Sequence, residues 1–242
     1  MELFKPQQYR ARVADKFFVS DSERYLEIKL ELVVPNRIEF AAGQYVSIKV
    51  NEQGVRRSYS IASTPDVEHG IELLAEIIEG GKGSEYFLKT QPGDEVEILG
   101  PLGKFVVEPG EGERKLLFVA TGSGIVPIKA MIEDLLINKQ EKRPIRLHWG
   151  MRSEQDLFWF DNFLRLSEEH ENFVFDQVLS RPGEEWSLCS GRVQDCLSRD
   201  FQDGLSEWEG YVCGHPEKVE SIANTLAELG MQEDKISFER FT

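Results

Sequence analysis

The sequence predicts a two-part fold: an all-β antiparallel barrel, then an α/β domain built on a parallel sheet. Three observations carry this. Residues 8–108 hold short alternating apolar runs separated by turn residues. From Leu116 onward, apolar runs of strand length alternate with stretches that repeat at helical spacing. Between the two patterns lies Pro109-Gly110-Glu111-Gly112-Glu113, a short, polar, glycine-rich linker. The domains are expected at residues 1–108 and 109–242.

In the first part, Leu26-Glu27-Ile28-Lys29-Leu30-Glu31-Leu32 alternates strictly, as a strand with one face in the core does. Gln44–Val50, Ser58–Ala62, Ile71–Ile78 and Glu95–Leu99 are further short strands. Turn signals separate them, among them Ala42-Gly43, Glu52-Gln53-Gly54 and Pro92-Gly93-Asp94. Many short strands with regular turns predict a closed barrel. One helical segment interrupts the pattern. Gly80-Gly81-Lys82-Gly83-Ser84 leads into Glu85–Lys89, with Ser84 as the expected cap and Glu85 in the first turn. A helix start inside a β-domain suits an anion; a flexible glycine turn explains the same residues equally well.

In the second part, Leu116–Ala120 is an apolar strand, broken by Thr121-Gly122-Ser123-Gly124. Beyond Pro127, residues Ile128, Met131, Ile132, Leu135 and Leu136 form one apolar helical face. Strand, glycine loop and helix N-terminus together suit a phosphate-bearing ligand. The spacing is not the G-x-G-x-x-G fingerprint, and packing alone also explains such glycines. Further strands are expected at Ile145–Trp149, Phe173–Leu179, Gly210–Cys213 and Ile236–Phe238. Helices are expected at Ile128–Asn138, Gln155–Ser167, Gly191–Phe201 and Pro216–Leu229. This rhythm implies ligands at the carboxyl ends of the strands.

Charge and cysteine content bound the function. The 242 residues carry a formal net charge of −15, which argues against broad contact with nucleic acid or an anionic membrane. Residues 1–108 hold 13 basic and 18 acidic side chains and the remainder 15 and 25, so an acidic partner meets less repulsion on the first part. No apolar run reaches membrane-spanning length, and no secretory signal opens the chain. Cys189, Cys196 and Cys213 show no Cys-x-x-Cys spacing. A disulfide framework, a zinc site and an iron–sulfur cluster are therefore not expected, nor is any other metal. The expectation is a reduced cytoplasmic protein.

Three motifs carry chemistry. In Arg56-Arg57-Ser58-Tyr59-Ser60, Arg57 offers a fork for phosphate, Tyr59 a flat face for an aromatic ring, and Ser60 a hydroxyl for a ring nitrogen. A surface arginine beside a core tyrosine explains that stretch as well. Strand alternation puts Tyr59 opposite Ser58 and Ser60. Cys213-Gly214 ends a strand, which aims Cys213 at the ligand end of the sheet; a buried inert thiol is the plainer reading.

The order of the motifs is more specific than any one of them. It runs Arg57-x-Tyr59-Ser60, Gly81-x-Gly83-Ser84, Gly100-Pro101-Leu102-Gly103, Thr121-Gly122-x-Gly124-Ile125-Val126-Pro127, Gly150-Met151-Arg152, Cys213-Gly214 and Phe238-Glu239-Arg240-Phe241. This set, over nearly the whole chain, resembles the ferredoxin–NADP reductase family. The resemblance implies a flavin-binding barrel carrying FAD and a nicotinamide-nucleotide domain. Arg57 would then hold the flavin pyrophosphate and Tyr59 would stack on the flavin. Ser60 would sit near its N5, with Ile61 beside it. Lys82, Gly83 and Ser84 would bind phosphate through backbone and hydroxyl. Thr121, Gly122 and Gly124 would receive the nucleotide, and Cys213 and Gly214 would lie by the nicotinamide. Ser60, Cys213 and Glu239 would form the polar cluster at the point of hydride transfer, and Phe241 would cover the flavin.

Arg152, Ser180, Arg181 and Arg192 occupy positions that resemble the 2′-phosphate-binding residues of NADPH-using members. Ser180-Arg181-Pro182 with Trp186 also resembles NADH-using oxygenase reductases, so NADP is expected and NAD stays open. Some members carry a fused four-cysteine ferredoxin domain. No such set is present among the three cysteines, which implies delivery to a small acidic carrier, a ferredoxin or flavodoxin. The resemblance leaves two alternatives: an NAD(P)H:flavin reductase, and an NADH-dependent reductase component of an oxygenase. A departure is His215-Pro216-Glu217-Lys218 after Cys213-Gly214, where members more often have Pro-Pro-x-Met.

Overall fold

The computed structural model describes residues 4–107 and 114–241. These form two compact units. The first holds residues 4–107 with Lys129–Lys139, and the second holds 114–128 with 140–241. The expected linker at 109–113 lies outside the described residues.

The first unit is an antiparallel sheet of six strands: β1 (Gln7–Phe18), β2 (Tyr25–Val34), β3 (Tyr45–Lys49), β4 (Arg56–Ser60), β5 (Gly70–Glu76) and β6 (Glu95–Leu102). Their spatial order is β4-β3-β6-β1-β2-β5. The sheet curls until its ends nearly meet, and one bridge, Ile61 to Leu73, joins them. Alternation explains the curl's filling: Tyr9, Ala11 and Val13 on β1, and Leu26, Ile28 and Leu30 on β2, all turn inward. The sequence pattern does not mark β1 separately. Its alternation breaks at a bulge between Val13 and Asp15, which leaves Phe17 and Phe18 exposed. Helix α1 (Lys82–Lys89) closes one end of the barrel with Phe87, which is fully buried. Ser84 does not cap it. Gly81 is the cap residue, and Ser84 lies in the first turn.

The second unit is a parallel sheet. Its strands are β7 (Lys115–Thr121), β8 (Ile145–Met151), β9 (Phe173–Leu179), β10 (Cys189–Ser190), β11 (Trp208–Gly214) and β12 (Ile236–Arg240), in the order β10-β9-β8-β7-β11-β12. β7 is central, and its Leu-Leu-Phe-Val-Ala run is buried throughout, as a strand covered on both faces must be. The unit's helices are α3 (Phe160–Glu169), α4 (Val193–Asp200) and α5 (Pro216–Glu228), while α2 (Ile125–Glu133) begins in this unit and passes to the first at Lys129. α2 ends in a wider π turn over Asp134–Asn138, so the expected helix is present but changes pitch. α3 starts later than expected, because Trp159 takes a left-handed φ of 53° and resets the chain after a single turn at Glu154–Asp156. No helix among the described residues is long and apolar enough to cross a membrane.

One expectation about cysteine is corrected. Cys189 and Cys196 are joined by a disulfide, with Cα atoms 6.5 Å apart. Their spacing of seven gave no hint, because pairing depends on distance in the fold rather than in sequence. Cys213 is the free thiol, and it is buried.

Candidate functional site

In the first unit, two motifs some 25 positions apart meet. β4 pairs with β3, placing Arg57 opposite Ile48 and Tyr59 opposite Val46. Arg57 and Tyr59 share a face, and that face meets the start of α1. A Cβ on Gly83 would lie 2.1 Å from the Tyr59 hydroxyl and 3.4 Å from Cγ of Arg57. Any side chain there would push the Tyr59 hydroxyl aside. The Tyr59 ring packs edge-on against Phe87, with ring centres 5.1 Å apart. Burial pushes its hydroxyl up to about 12, against the opposing pull of Arg57. The phenol therefore stays neutral.

The neighbouring arginines differ. Arg56 is half-buried and tied to β3: Nε donates to Ser47 Oγ at 3.1 Å and Nη2 to the Ser47 carbonyl. Arg57 is exposed, and its Nη1 donates to the Arg56 carbonyl at 2.9 Å. The stem of Arg57 reaches the start of α1, where a Cβ on Gly83 would lie 3.4 Å from its Cγ, and the N–H groups that head a helix have no partner four residues back. A cation and a helix N-terminus in one place favour an anion.

Other predicted residues are placed differently. The Ser84 hydroxyl accepts from Ile78 N at 2.9 Å and donates to the Glu76 carbonyl at 3.4 Å. It fastens α1 to the end of β5, so a phosphate would meet backbone here, with Lys82 exposed beside it. Ser60 is 6% exposed, at the end of β4. The Ile61 side chain lies in the barrel core, and its N–H donates to the Gln44 carbonyl. Beyond it, the Ala62 carbonyl accepts from Lys129 Nζ at 3.3 Å, and Lys129 pairs with Glu133 at 2.7 Å.

In the second unit, the glycine loop sits at the carboxyl end of the sheet. Gly122–Gly124 makes one tight turn that runs into α2. Gly124 packs on β11 so closely that a Cβ would lie 2.3 Å from the Cys213 carbonyl oxygen. A Cβ on Gly214 would meet Thr121 Oγ1 at 2.2 Å, and one on Gly150 would meet Val193 at 2.4 Å. The Gly124 backbone thus packs on Cys213 and Gly214, and Gly214 packs on Thr121. Sequence reading missed the loop's anchor. Trp149, fully buried on β8, donates Nε1–H to the Gly122 carbonyl at 3.0 Å. A buried indole needs such an acceptor, and that need was the available signal.

Strand register sets Cys213 beside Glu239 and Ala120. Cys213 is wholly buried. Burial first, and then the Glu239 charge, push its thiol well above the ordinary value, so it stays protonated. The Phe241 N–H donates to the Gly214 carbonyl at 2.9 Å, fixing the last described residue beside the loop. Along the neighbouring strand ends, Ser180 N–H donates to the Met151 carbonyl at 3.0 Å and Arg181 N–H to the Arg152 carbonyl at 2.8 Å. Arg192 caps α4, where its N–H donates to Asp195 at 3.2 Å. The side chains of Arg152, Arg181 and Arg192 are exposed. The structure thus brings the arginines to successive strand ends.

His148, Asp176 and Asp200 place ligand-type atoms within 4.8 Å of one another. Arg146 already occupies that cluster, with Nε 2.6 Å from Asp176 and Nη2 2.9 Å from Asp200. His148 Nε2 lies 3.0 Å from Asp200. Burial pushes His148 below the usual imidazole value, against the pull of Asp176. The guanidinium supplies the positive charge, and the group reads as an ion-pair network.

Residues 10–107 match the oxidoreductase FAD-binding domain, and residues 118–224 match the oxidoreductase NAD-binding domain. The chain is 31% identical over 238 residues to the reductase component DmpP of phenol 2-monooxygenase from Pseudomonas sp. (strain CF600), covering 97% of this chain and 66% of that protein. It is 31% identical over 215 residues to the CDP-6-deoxy-L-threo-D-glycero-4-hexulose-3-dehydrase reductase of Yersinia pestis, covering 88% of this chain and 63% of that protein. The chain thus spans a little under two thirds of the length of these relatives. Among solved structures, the Amycolatopsis cytochrome P450 reductase GcoB superposes with a TM-score of 0.90 at 28% identity, over 98% of this chain and 70% of that one. The ferredoxin reductase in carbazole 1,9a-dioxygenase superposes at 0.85 with 22% identity, over 99% of this chain and 70% of that one, a likeness of fold. With an FAD-binding barrel, an NAD-binding parallel sheet and these relatives, the chain belongs to the ferredoxin reductase-like family of flavin oxidoreductases.

Proposed function

We propose that this chain is an FAD-dependent NAD(P)H reductase that passes electrons to a separate one-electron acceptor, with residues 1–108 serving the flavin and 109–242 the nucleotide. The single observation that carries this is the convergence of Arg57, Tyr59 and the Gly83 backbone. It supplies a cation, a flat ring and a helix N-terminus where any side chain would push the Tyr59 hydroxyl aside. FAD and a nicotinamide nucleotide, when bound, would supply the hydride and single-electron chemistry.

The chain's residues hold and orient. Arg57, with the Lys82 and Gly83 backbone, would hold the flavin pyrophosphate; Tyr59 would stack on the flavin, and Ser60 would bond near its N5. Thr121, Gly122, Gly124 and Gly214 let the nucleotide approach the backbone. Cys213 is the neutral thiol that would lie by the nicotinamide, and Glu239 would keep negative charge near it. Ser180, Arg181, Arg192 and Arg152 read the nucleotide's far end and favour NADPH. Orientation of this kind contributes several kcal/mol to a transfer between bound partners. The acceptor is a small acidic carrier such as a ferredoxin or flavodoxin, and the setting is the cytoplasm, where reduced nucleotide is held. The oxygenase-type relatives favour one variant, in which the acceptor is an oxygenase component.

Anaerobic mixing with NADPH and with NADH tests the reading. Bleaching of a yellow flavin spectrum is expected, fastest with NADPH, followed by reoxidation when a ferredoxin or flavodoxin is added. A protein that binds no FAD, or whose flavin neither nucleotide reduces, overturns it. Replacing both Arg181 and Arg192 with Ala should raise KM for NADPH and spare NADH; equal loss with both nucleotides would remove the arginines from the phosphate.

A further inference from the structure

We infer that the Cys189–Cys196 bond is a thiol-exchange site whose redox state sets the affinity for nucleotide. The inference rests on the reading that Arg192 meets the nucleotide's phosphate.

The disulfide joins β10 to α4 and closes a short ring. Arg192 lies inside that ring. Next to it, Gly191 takes a φ of 105°, and its N–H donates to the Leu179 carbonyl at 2.9 Å. On the other side, Val193 packs against Gly150 at the end of β8. The ring therefore fixes the backbone on either side of the one arginine. β10 itself is two residues long, so besides its short pairing with β9 and the Trp186 Nε1–H donated to the Cys189 carbonyl at 3.1 Å, the covalent link is the strongest tie on that turn.

The two sulfurs are unequal. Cys196 is 1% exposed, whereas Cys189 is half-buried and open to attack. Arg199 Nη2 lies 3.1 Å from the Cys189 sulfur, and a cation there favours the thiolate that exchange produces. A dithiol reductant attacks Cys189 as its thiolate. The S–S bond breaks, and Cys196 departs with the electron pair and takes a proton. The second thiol of the reductant then displaces Cys189, whose thiolate takes up a proton. The protein gains two electrons and two protons, and the reductant leaves as its own disulfide.

In the bonded form the backbone that carries Arg192 is already held. In the reduced form binding must order it, which weakens affinity by roughly fivefold to tenfold, the scale set by immobilising one long side chain and its turn. Calorimetric titration with NADP+ tests this on the FAD-loaded protein, in air-oxidised and dithiothreitol-treated form. The expected result is a Kd about fivefold to tenfold higher after reduction, restored on reoxidation, with FAD content unchanged. Cys189→Ser and Cys196→Ser should each bind like the reduced form and ignore dithiothreitol. In Arg192→Ala the redox effect should vanish, which a general loosening of the unit would not produce. Equal Kd in the two states overturns the inference and leaves the nucleotide reading intact. Three free thiols in the unreduced, unfolded protein overturn it as well. Failure of both NADP+ and NAD+ to bind in either state overturns the nucleotide reading and this inference together.

Discussion

Gly83 in the first unit and Gly124 in the second both occupy places where a Cβ would collide, but the colliding atoms differ. At Gly83 the obstacle is the hydroxyl end of a side chain, Tyr59. At Gly124 it is the backbone of Cys213 and Gly214, part of a strand paired on both sides. A side chain can swing away and a sheet cannot. On the proposed function, Gly83 therefore protects a ligand geometry, whereas Gly124 protects the fold itself.

Gly124→Ala is expected to have the largest effect. It should lower unfolding free energy by about 3 kcal/mol, as forced overpacking does, and urea unfolding measures it. A loss below about 1 kcal/mol would show that β11 yields and would break the contrast. Arg57→Ala comes next. It should weaken FAD binding by roughly tenfold to a hundredfold, the worth of a charge-assisted contact, while the unfolding midpoint stays put. Arg56→Ala should do the reverse, because its bonds serve β3 and β4. Gly83→Ala should cost about 1 kcal/mol or less in stability yet reduce FAD affinity roughly tenfold, since Tyr59 must turn aside. Retained flavin in that variant would remove Tyr59 from the site.

The smallest effect is one of pH, and it separates the units. Tyr59 and Cys213 hold their protons more tightly folded than unfolded, so both units lose stability as pH rises past their ordinary values. His148 behaves oppositely. Burial keeps it neutral when folded, so the unfolded chain takes up the proton first, and stability falls as pH drops through the ordinary imidazole range near about 6.5. Mild acid should therefore weaken the second unit alone, by at most about 1.4 kcal/mol per pH unit. Unfolding curves at pH about 7 and 5.5 check this, and His148→Gln should flatten the slope.

Much of this was readable from the chain. Alternation in Leu26–Leu32 and the buried run Leu116–Ala120 distinguish a sheet with one wet face from one covered twice, and those two signals divide the molecule. The loops at Gly83 and Gly124 were visible as glycine clusters, and the atoms that a Cβ would meet there give a packing reason for each glycine. What stayed hidden depends on distance in space. The Ser84 hydroxyl looked like a cap or a phosphate ligand, but the end of β5 comes within its reach and claims it. Cys189 and Cys196 carry no spacing motif, and only the return of α4 beside β10 brings them together. The delayed start of α3 turns on one left-handed residue, Trp159, whose type gives no warning.

The bond from Trp149 to Gly122 has a spectroscopic consequence. Trp149 is one of four tryptophans, and it lies fully buried with Phe158 and Phe163 edge-on to its ring. Its indole N–H ends on a carbonyl of the glycine loop. Any shift of that carbonyl changes the polarity felt by a chromophore otherwise shielded from water. The chain thus carries its own optical probe of the loop, and the loop's state is written in the wavelength and intensity of one indole's emission.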